Sequence, residues 1–382
     1  MLRRIEAACL LKRQVLASVI AISVSLYVAP SVVQADDASI AKKYEEAVAA
    51  GLDYLRVRGQ AQDGSFTKAA GICPTVLATT AMLRHGRTQI DPTVAKSLAW
   101  LEKRVQEDGG IYAKDSRFQN YETCVALICF QEANDDGRYD EIIRNADKFL
   151  KGLQWSEQND TESDDFKYGG GCYSKDGRPD LSNTAFLMDA LRSAGNDADS
   201  QAMQRALIFV SRCQNLESEH NTTPYAAKVN DGGFYYSVTA GGQGGGNTRE
   251  GGLRSYGSMT YAGLKSMIYA GLGPEDERVK AAVKWIGDHY TVTENPNMGD
   301  AGLFYYYHTF AKSLHVLGQD EVVGKDGKRH DWQADIINEL AKRQQPNGSW
   351  INENTRWLEG DPNLVTSFAL LALSYANPQA DE

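Results

Sequence analysis

One unit recurs six times between Ile40 and Ala376, and that repetition leaves few folds open to the chain. Each copy runs from an amphipathic segment, through a glycine-bearing turn followed by an aromatic, into a more apolar segment. The turns read "QAQDGSF" (Gln60 to Phe66), "QEDGGIY" (Gln106 to Tyr112), "YGGGCY" (Tyr168 to Tyr173), "NDGGFYY" (Asn230 to Tyr236), "GDAGLFYYY" (Gly299 to Tyr307) and "QQPNGSW" (Gln344 to Trp350). Glycine supplies the positive φ such turns need. A period of roughly 56 residues accommodates two helices of ordinary length plus loops. Self-similarity at a fixed period marks a repeat architecture, so the 382 residues read as one repeat-built domain rather than two average ones.

Segments before the turns place apolar residues on one helical face: Leu98, Leu101 and Val105; Ile142, Ala146, Phe149 and Leu150; Val279, Ala282, Val283 and Ile286. Segments after the turns share a threonine, at Thr75, Thr123, Thr184, Thr260, Thr309 and Thr366, as in "TYAGLKSM" and "TSFALLAL". Its hydroxyl is expected to satisfy backbone groups in the first turn. The more apolar helix of each pair is buried on more of its circumference and belongs to an inner layer. The expected fold is all-α, an α6/α6 toroid of six helix pairs in a closed double ring. It leaves no sheet edge, and its central cavity is lined by inner-helix starts.

The first 35 residues stand outside that pattern. Arg3, Arg4, Lys12 and Arg13 precede an apolar run from Val15 to Ala29, and Val33-Gln34-Ala35 is a small-residue cleavage pattern. This reads as a signal peptide cut after Ala35, implying a secreted or periplasmic protein, with the toroid domain spanning 36–382. The run falls short of the roughly 20 residues needed to span a bilayer. Removing those 35 residues takes away four basic residues and Glu6, a net +3, so the charge falls from −10 to −13. That excludes nucleic acid as an expected partner and leaves no basic cluster for electrostatic membrane binding. Cys73, Cys124, Cys129, Cys172 and Cys213 remain, an odd number without CxxC spacing, and are expected as buried free thiols.

The segments "QAQDGSF" and "QQPNGSW" resemble the Gln-x-x-Asp/Asn-Gly-x-Trp/Phe repeats of squalene and hopene cyclases and of protein prenyltransferase β subunits, and the likeness covers nearly all of the mature chain. The resemblance implies a terpenoid cyclase-like α/α toroid. In such a motif the glutamine amide can bridge backbone groups of adjacent units.

Both chemistries of that superfamily are incomplete here. The cyclases protonate an alkene from an Asp-x-Asp-Asp motif within Pro-Asp-x-Asp-Asp-Thr-Ala; the aligned residues are Pro179, Asp180, Leu181, Ser182, Asn183, Thr184 and Ala185, so Ser182 stands at the proton donor's place. A hydroxyl or amide is far too weak an acid for that step. Asp180 has an ordinary alternative as a helix cap. Glu162, Asp164 and Asp165 read as a solvated charge run. The prenyltransferases hold zinc with Asp, Cys and His. Tyr256, Ser258 and His308 stand at the aligned sites, so one ligand of three remains and no metal or other cofactor is expected. Cys172 lies in a turn, before its inner helix.

Three carboxylate or imidazole groups at aligned inner positions are candidate acid–base residues: Glu122, Asp180 and His308. Tyr121, Ser182, Asn183, Tyr256, Ser258, Tyr305, Tyr307 and Asn363 are expected to line the cavity, with Trp357, Glu359 and Asp361 at its rim. Aromatic faces suit polyisoprenoid chains. Eight glycines between Gly241 and Gly257 could form a flap or a plain flexible insertion. The expected function is binding of an isoprenoid or similar apolar ligand. Two alternatives are a non-catalytic interaction module with an envelope protein partner, and a carbohydrate-active toroid, which needs two facing carboxylates.

Overall fold

A computed structural model describes residues 33–218, 221–239, 241 and 244–378; the apolar run Val15–Ala29 lies outside the described residues. The repeats fold into helix pairs. The amphipathic members are α1 (Val33–Tyr54), α3 (Pro92–Glu102), α5 (Asp140–Leu153), α7 (Gln201–Arg212), α10 (Glu277–Asp288) and α12 (Trp332–Arg343). The apolar members are α2 (Cys73–Arg84), α4 (Gln119–Glu132), α6 (Leu181–Ser193), α9 (Gly257–Tyr269), α11 (Leu303–Leu317) and α13 (Pro362–Tyr375). A single-turn helix, α8 (Ala226–Val229), lies between α7 and α9. The compact body begins at Ala38.

The apolar helices meet in cyclic order, α2 on α4, α4 on α6, α6 on α9, α9 on α11, α11 on α13, and α13 back on α2. Each is buried along nearly its whole length, as in α9 from Gly257 to Met267. The amphipathic helices pack outside them through one stripe. On α5 that stripe is Ile143, Ala146 and Leu150; burying the Ile and Leu side chains contributes about 1.5–3 kcal/mol each. The chain is an all-α toroid, to which one element is added that the helical pattern did not announce. A hairpin of β1 (Glu321–Val323) and β2 (Arg329–Asp331) turns at Asp326-Gly327 between α11 and α12.

The turns rivet each pair to the next. Gln60 Nε2 donates to Gly64 O inside its own turn and to Thr93 O on α3. Gln154 does the same for Gly169 and Ala202 of α7, and Gln214 for Gly232 and Arg278 of α10. Gln344 joins Gly348 to Ala47 of α1, which ties the last turn to the first helix. Gln106 departs from the pattern and bonds only within its own turn, to Arg104 O and Tyr112 O. The turn glycine is fixed twice over. Gly348 has φ +87°, and a Cβ there would lie 2.3 Å from Ala50 O on α1. At Gly169, φ +82°, the same atom would lie 1.8 Å from Arg205 O on α7. Only glycine lets the turn adopt that conformation and approach the neighbouring helix so closely.

The shared threonines do more than expected of them. Thr75, Thr123, Thr184, Thr260 and Thr366 accept from the backbone N–H of Phe66, Ile111, Gly171, Phe234 and Trp350, at 2.9–3.0 Å, and so pin the preceding turn, while Thr123, Thr184 and Thr260 also donate to Gln119 O, Asp180 O and Tyr256 O at their own helix starts. Thr309 instead donates to Tyr306 O. It lies deeper in its helix than the other five, which puts it out of register with them.

Candidate functional site

The inner-helix starts converge at one end of the ring, and most of their polar groups are already engaged. Asp180 caps α6: Oδ1 accepts from Asn183 N at 2.9 Å and from Ser182 Oγ at 2.7 Å, and Oδ2 accepts from Asn183 Nδ2 at 2.7 Å. The Tyr236 hydroxyl also donates to this carboxylate. Burial raises the Asp180 pKa above its ordinary value, and these donors oppose the rise. All four donors are neutral, so Ser182 and Asn183 serve the aspartate instead of replacing an acid.

Glu122 is buried at the start of α4, where Oε2 accepts from Ala113 N at 3.0 Å and Oε1 from Ile72 N at 3.5 Å. It holds the entry of α2 against the turn before α4. Its pKa too is raised by burial. Glu122 and Asp180 are therefore both buried and individually bonded, and neither stands exposed in an open groove.

Glu359, expected at the rim, is 1% exposed. Its Oε1 accepts from Tyr305 N at 2.8 Å and its Oε2 from Asn352 Nδ2 at 2.6 Å, so it supplies the anion at the start of α11, whose own cap residue is Gly302. Asp361 caps α13 through Asn363 N and Leu364 N. Asn363 Nδ2 donates to Thr67 Oγ1 at 2.8 Å, and Asn295 binds both Ser258 N and Ser258 Oγ. Trp357 alone of the expected rim residues is exposed; it carries Arg356 on its ring, 4.1 Å from the centroid.

Of the expected wall residues, one faces elsewhere and one is covered. Tyr307 is fully buried and donates to Val292 O at 2.8 Å, because its place on α11 turns it toward the outer layer. Tyr256 is covered by the glycine-rich segment: a Cβ at Gly244 would lie 2.7 Å from its hydroxyl.

Tyr121 and Tyr305 remain half-buried and stand in a line of rings. Exposed Phe118 meets Tyr173 with centroids 5.3 Å apart, Tyr173 meets Tyr121 at 6.2 Å, Tyr121 meets Phe186 at 5.0 Å, Phe186 meets Tyr305 at 6.1 Å and Tyr305 meets Phe368 at 6.0 Å. His308 follows, 5.9 Å from Phe368. The line runs from solvent toward the centre of the ring.

That centre holds charges the sequence reading missed. Asp189 of α6 binds Lys265 of α9 at 2.6 Å and Lys312 of α11 at 2.8 Å. Despite its burial, the two lysines hold Asp189 down to about 2. Beside them lies a cavity of about 10 Å³, lined by residues including Phe186, Tyr305 and His308. That is close to the space one water occupies, so the cavity is not an open hollow. His308 is buried and pushed well below its ordinary pKa, first by burial and then by Lys312 and Arg84. Two cations nearby make it a poor metal ligand, and among the described residues no group of three His, Cys, Asp or Glu is placed to hold a metal. A signal for the pair was present in the repeat: Asp189 and Lys265 each lie five residues after the shared threonine of neighbouring inner helices, with opposite charge.

Glu162, Asp164 and Asp165 are exposed, and Arg212 binds the backbone of their loop at Asp165 O and Ser163 O. All five described cysteines are buried and unpaired, and burial raises each thiol.

Residues 67–240 match the family model of the squalene-hopene cyclase C-terminal domain. No curated protein matches the sequence. Among solved structures, a variant of the type II terpene cyclase MstE from Scytonema, in complex with its substrate geranylgeranyl dihydroxybenzoate, aligns over 89% of this chain and 99% of its own at 12% identity, with a TM-score of 0.55. The unliganded MstE enzyme aligns over 88% and 99% at 12% identity, TM-score 0.50. A family 88 glycosyl hydrolase from Bacteroides vulgatus covers 88% and 99% at 10% identity, also with a TM-score of 0.50. At these identities the likeness is one of fold. The protein is an all-α toroid whose residues 67–240 match the squalene-hopene cyclase C-terminal domain and whose fold is similar to that of the type II terpene cyclase MstE.

Proposed function

We propose that this toroid is an exported protein that binds an isoprenoid or similar apolar ligand along its aromatic line and does not cyclise it. The observation that carries the reading is the unbroken run of rings from exposed Phe118 to buried Phe368. Half-buried aromatic faces at the mouth of a largely apolar ring form a surface for hydrocarbon, and they end above a centre with room for one small group. The absence of cyclisation follows from the Asp180 site. Its one carboxyl accepts from four neutral donors, and Ser182 cannot protonate an isolated alkene. MstE binds a geranylgeranyl substrate in the same fold, which supports the ligand class.

The water-sized centre favours a second reading, a non-catalytic interaction module of the cell envelope whose ring is a rigid surface for a protein partner. Equilibrium binding of farnesol to the purified protein separates the two. The ligand reading expects saturable binding that Phe186→Ala weakens by about tenfold, in line with the loss of one aromatic contact surface. Absence of binding to the wild-type chain overturns it and leaves the interaction module.

A further inference from the structure

The charges at the centre of the ring do not balance. Asp189, Lys265 and Lys312 have side chains 3%, 5% and 9% exposed, and both ammonium groups reach the same oxygen, Asp189 Oδ2. Oδ1 has no hydrogen-bond partner among the described residues. Two cations share one anion. The other ionisable groups facing the cluster supply no second anion: Tyr269 and Tyr375 are phenols, His308 is held neutral by burial, and Arg84 is a further cation, paired with Glu132 at 2.8 Å. A buried ion without a counter-charge is so costly that the group gives up its charge instead.

Lys265, the more deeply buried of the two amines, is the one that loses its proton more readily. Burial draws it down to about 8, with Lys312 adding to the fall and Asp189 opposing it. For Lys312, burial is more than offset by Asp189, so it stays above the ordinary lysine value. The cavity of about 10 Å³ lies against both amines, and Tyr305 is its one half-exposed lining residue, so the way out leads past Tyr305 into the aromatic line.

We propose that Lys265 is a nucleophilic amine that forms an imine with an apolar aldehyde or ketone seated on the aromatic line. The inference rests on the ligand reading above and narrows its ligand to a carbonyl compound. Lysine becomes a nucleophile when it is desolvated in an apolar pocket or set beside another cation, and here both conditions hold. The nitrogen lone pair of Lys265 adds to the carbonyl carbon, and a proton from that nitrogen passes to the carbonyl oxygen. Loss of one water then leaves the C=N bond. One amine and one carbonyl give one imine and one water, with no other reactant consumed. Asp189 remains as the counter-ion of Lys312, and the excess positive charge is gone.

The test mixes the purified full chain with farnesal, an isoprenoid aldehyde, adds borohydride to reduce any imine, and maps the adduct by peptide mass spectrometry. Binding of the matching alcohol, farnesol, is measured in parallel. The expected result is labelling of Lys265 about a hundredfold above any exposed lysine at pH 7, because far more of its amine is neutral there. Lys265→Arg keeps the charge, removes the nucleophile, and is expected to abolish the adduct while farnesol still binds. Labelling spread over surface lysines, or none, with farnesol binding intact overturns the imine and leaves the ligand reading standing. Failure of both compounds to bind overturns both.

Discussion

Asp180 and Asp189 stand on the same inner helix, are both buried, and have opposite electrostatic lives. Asp180 is surrounded by neutral donors from Ser182, Asn183 and Tyr236, and its pKa rises with burial. Asp189 faces two ammonium groups and falls to about 2. The first is a cap that organises a helix start. The second is a counter-ion that cross-links α6, α9 and α11. Position on the helix says little about what a buried carboxylate does; the charge of its partners decides it.

The largest effect should come from removing the counter-ion. Asp189→Ala leaves two buried ammonium groups without an anion and is expected to cost about 3–5 kcal/mol in denaturant unfolding. A loss no larger than that of a surface substitution would mean that the cluster is not dry, and the contrast would collapse.

The pH dependence sharpens the same contrast, because the two aspartates slope in opposite directions. Asp189 has a folded pKa below its ordinary 3.8, so its contribution, about 2 kcal/mol by linkage, is present above that value and lost as pH falls toward about 2. Asp180 has a folded pKa above 3.8, so the stability it contributes is present below the unfolded value and lost as pH rises through the folded one. Unfolding measured from pH 2 to 6 on Asp189→Asn and Asp180→Asn should flatten opposite slopes.

Asp180→Ala removes the cap of α6 and strands the Asn183 and Tyr236 donors, for about 1–2 kcal/mol, readable in the same unfolding experiment. Ser182→Asp is the smallest. The side chain is half-buried at a helix start, where an acid suits the dipole but sits beside Asp180, so a net change within about 1 kcal/mol is expected from thermal unfolding.

The ring was legible because its physics is repeated. Gln60, Gln154, Gln214 and Gln344 recur in phase, and each amide reaches the next pair, as an amide with two donors can. Hydrophobic period alone separated inner from outer helices. The site was legible only where a residue's neighbours in sequence are its neighbours in space, as with Asp180 and Asn183. Glu359 lies in a polar stretch that reads as rim, yet it is drawn inward to cap α11, a contact 54 positions away in the chain. Tyr307 reads as wall because it stands among aromatics, and one step along the helix turns it outward. The lysines at the centre were hidden in apolar helices whose few charges invite no interpretation until three helices are brought together. The hairpin of β1 and β2 escaped because a three-residue strand is too short to show an alternating pattern.

If the toroid holds an apolar ligand without rearranging it, the reason proposed is that the Asp180 carboxylate is bound as a cap. The decisive experiment is incubation of the purified protein with geranylgeranyl dihydroxybenzoate, followed by extraction and mass and chromatographic comparison with the starting compound. The compound is expected to be recovered bound and unchanged. A cyclised isomer, formed by the wild-type chain and lost in Asp180→Asn, would contradict it.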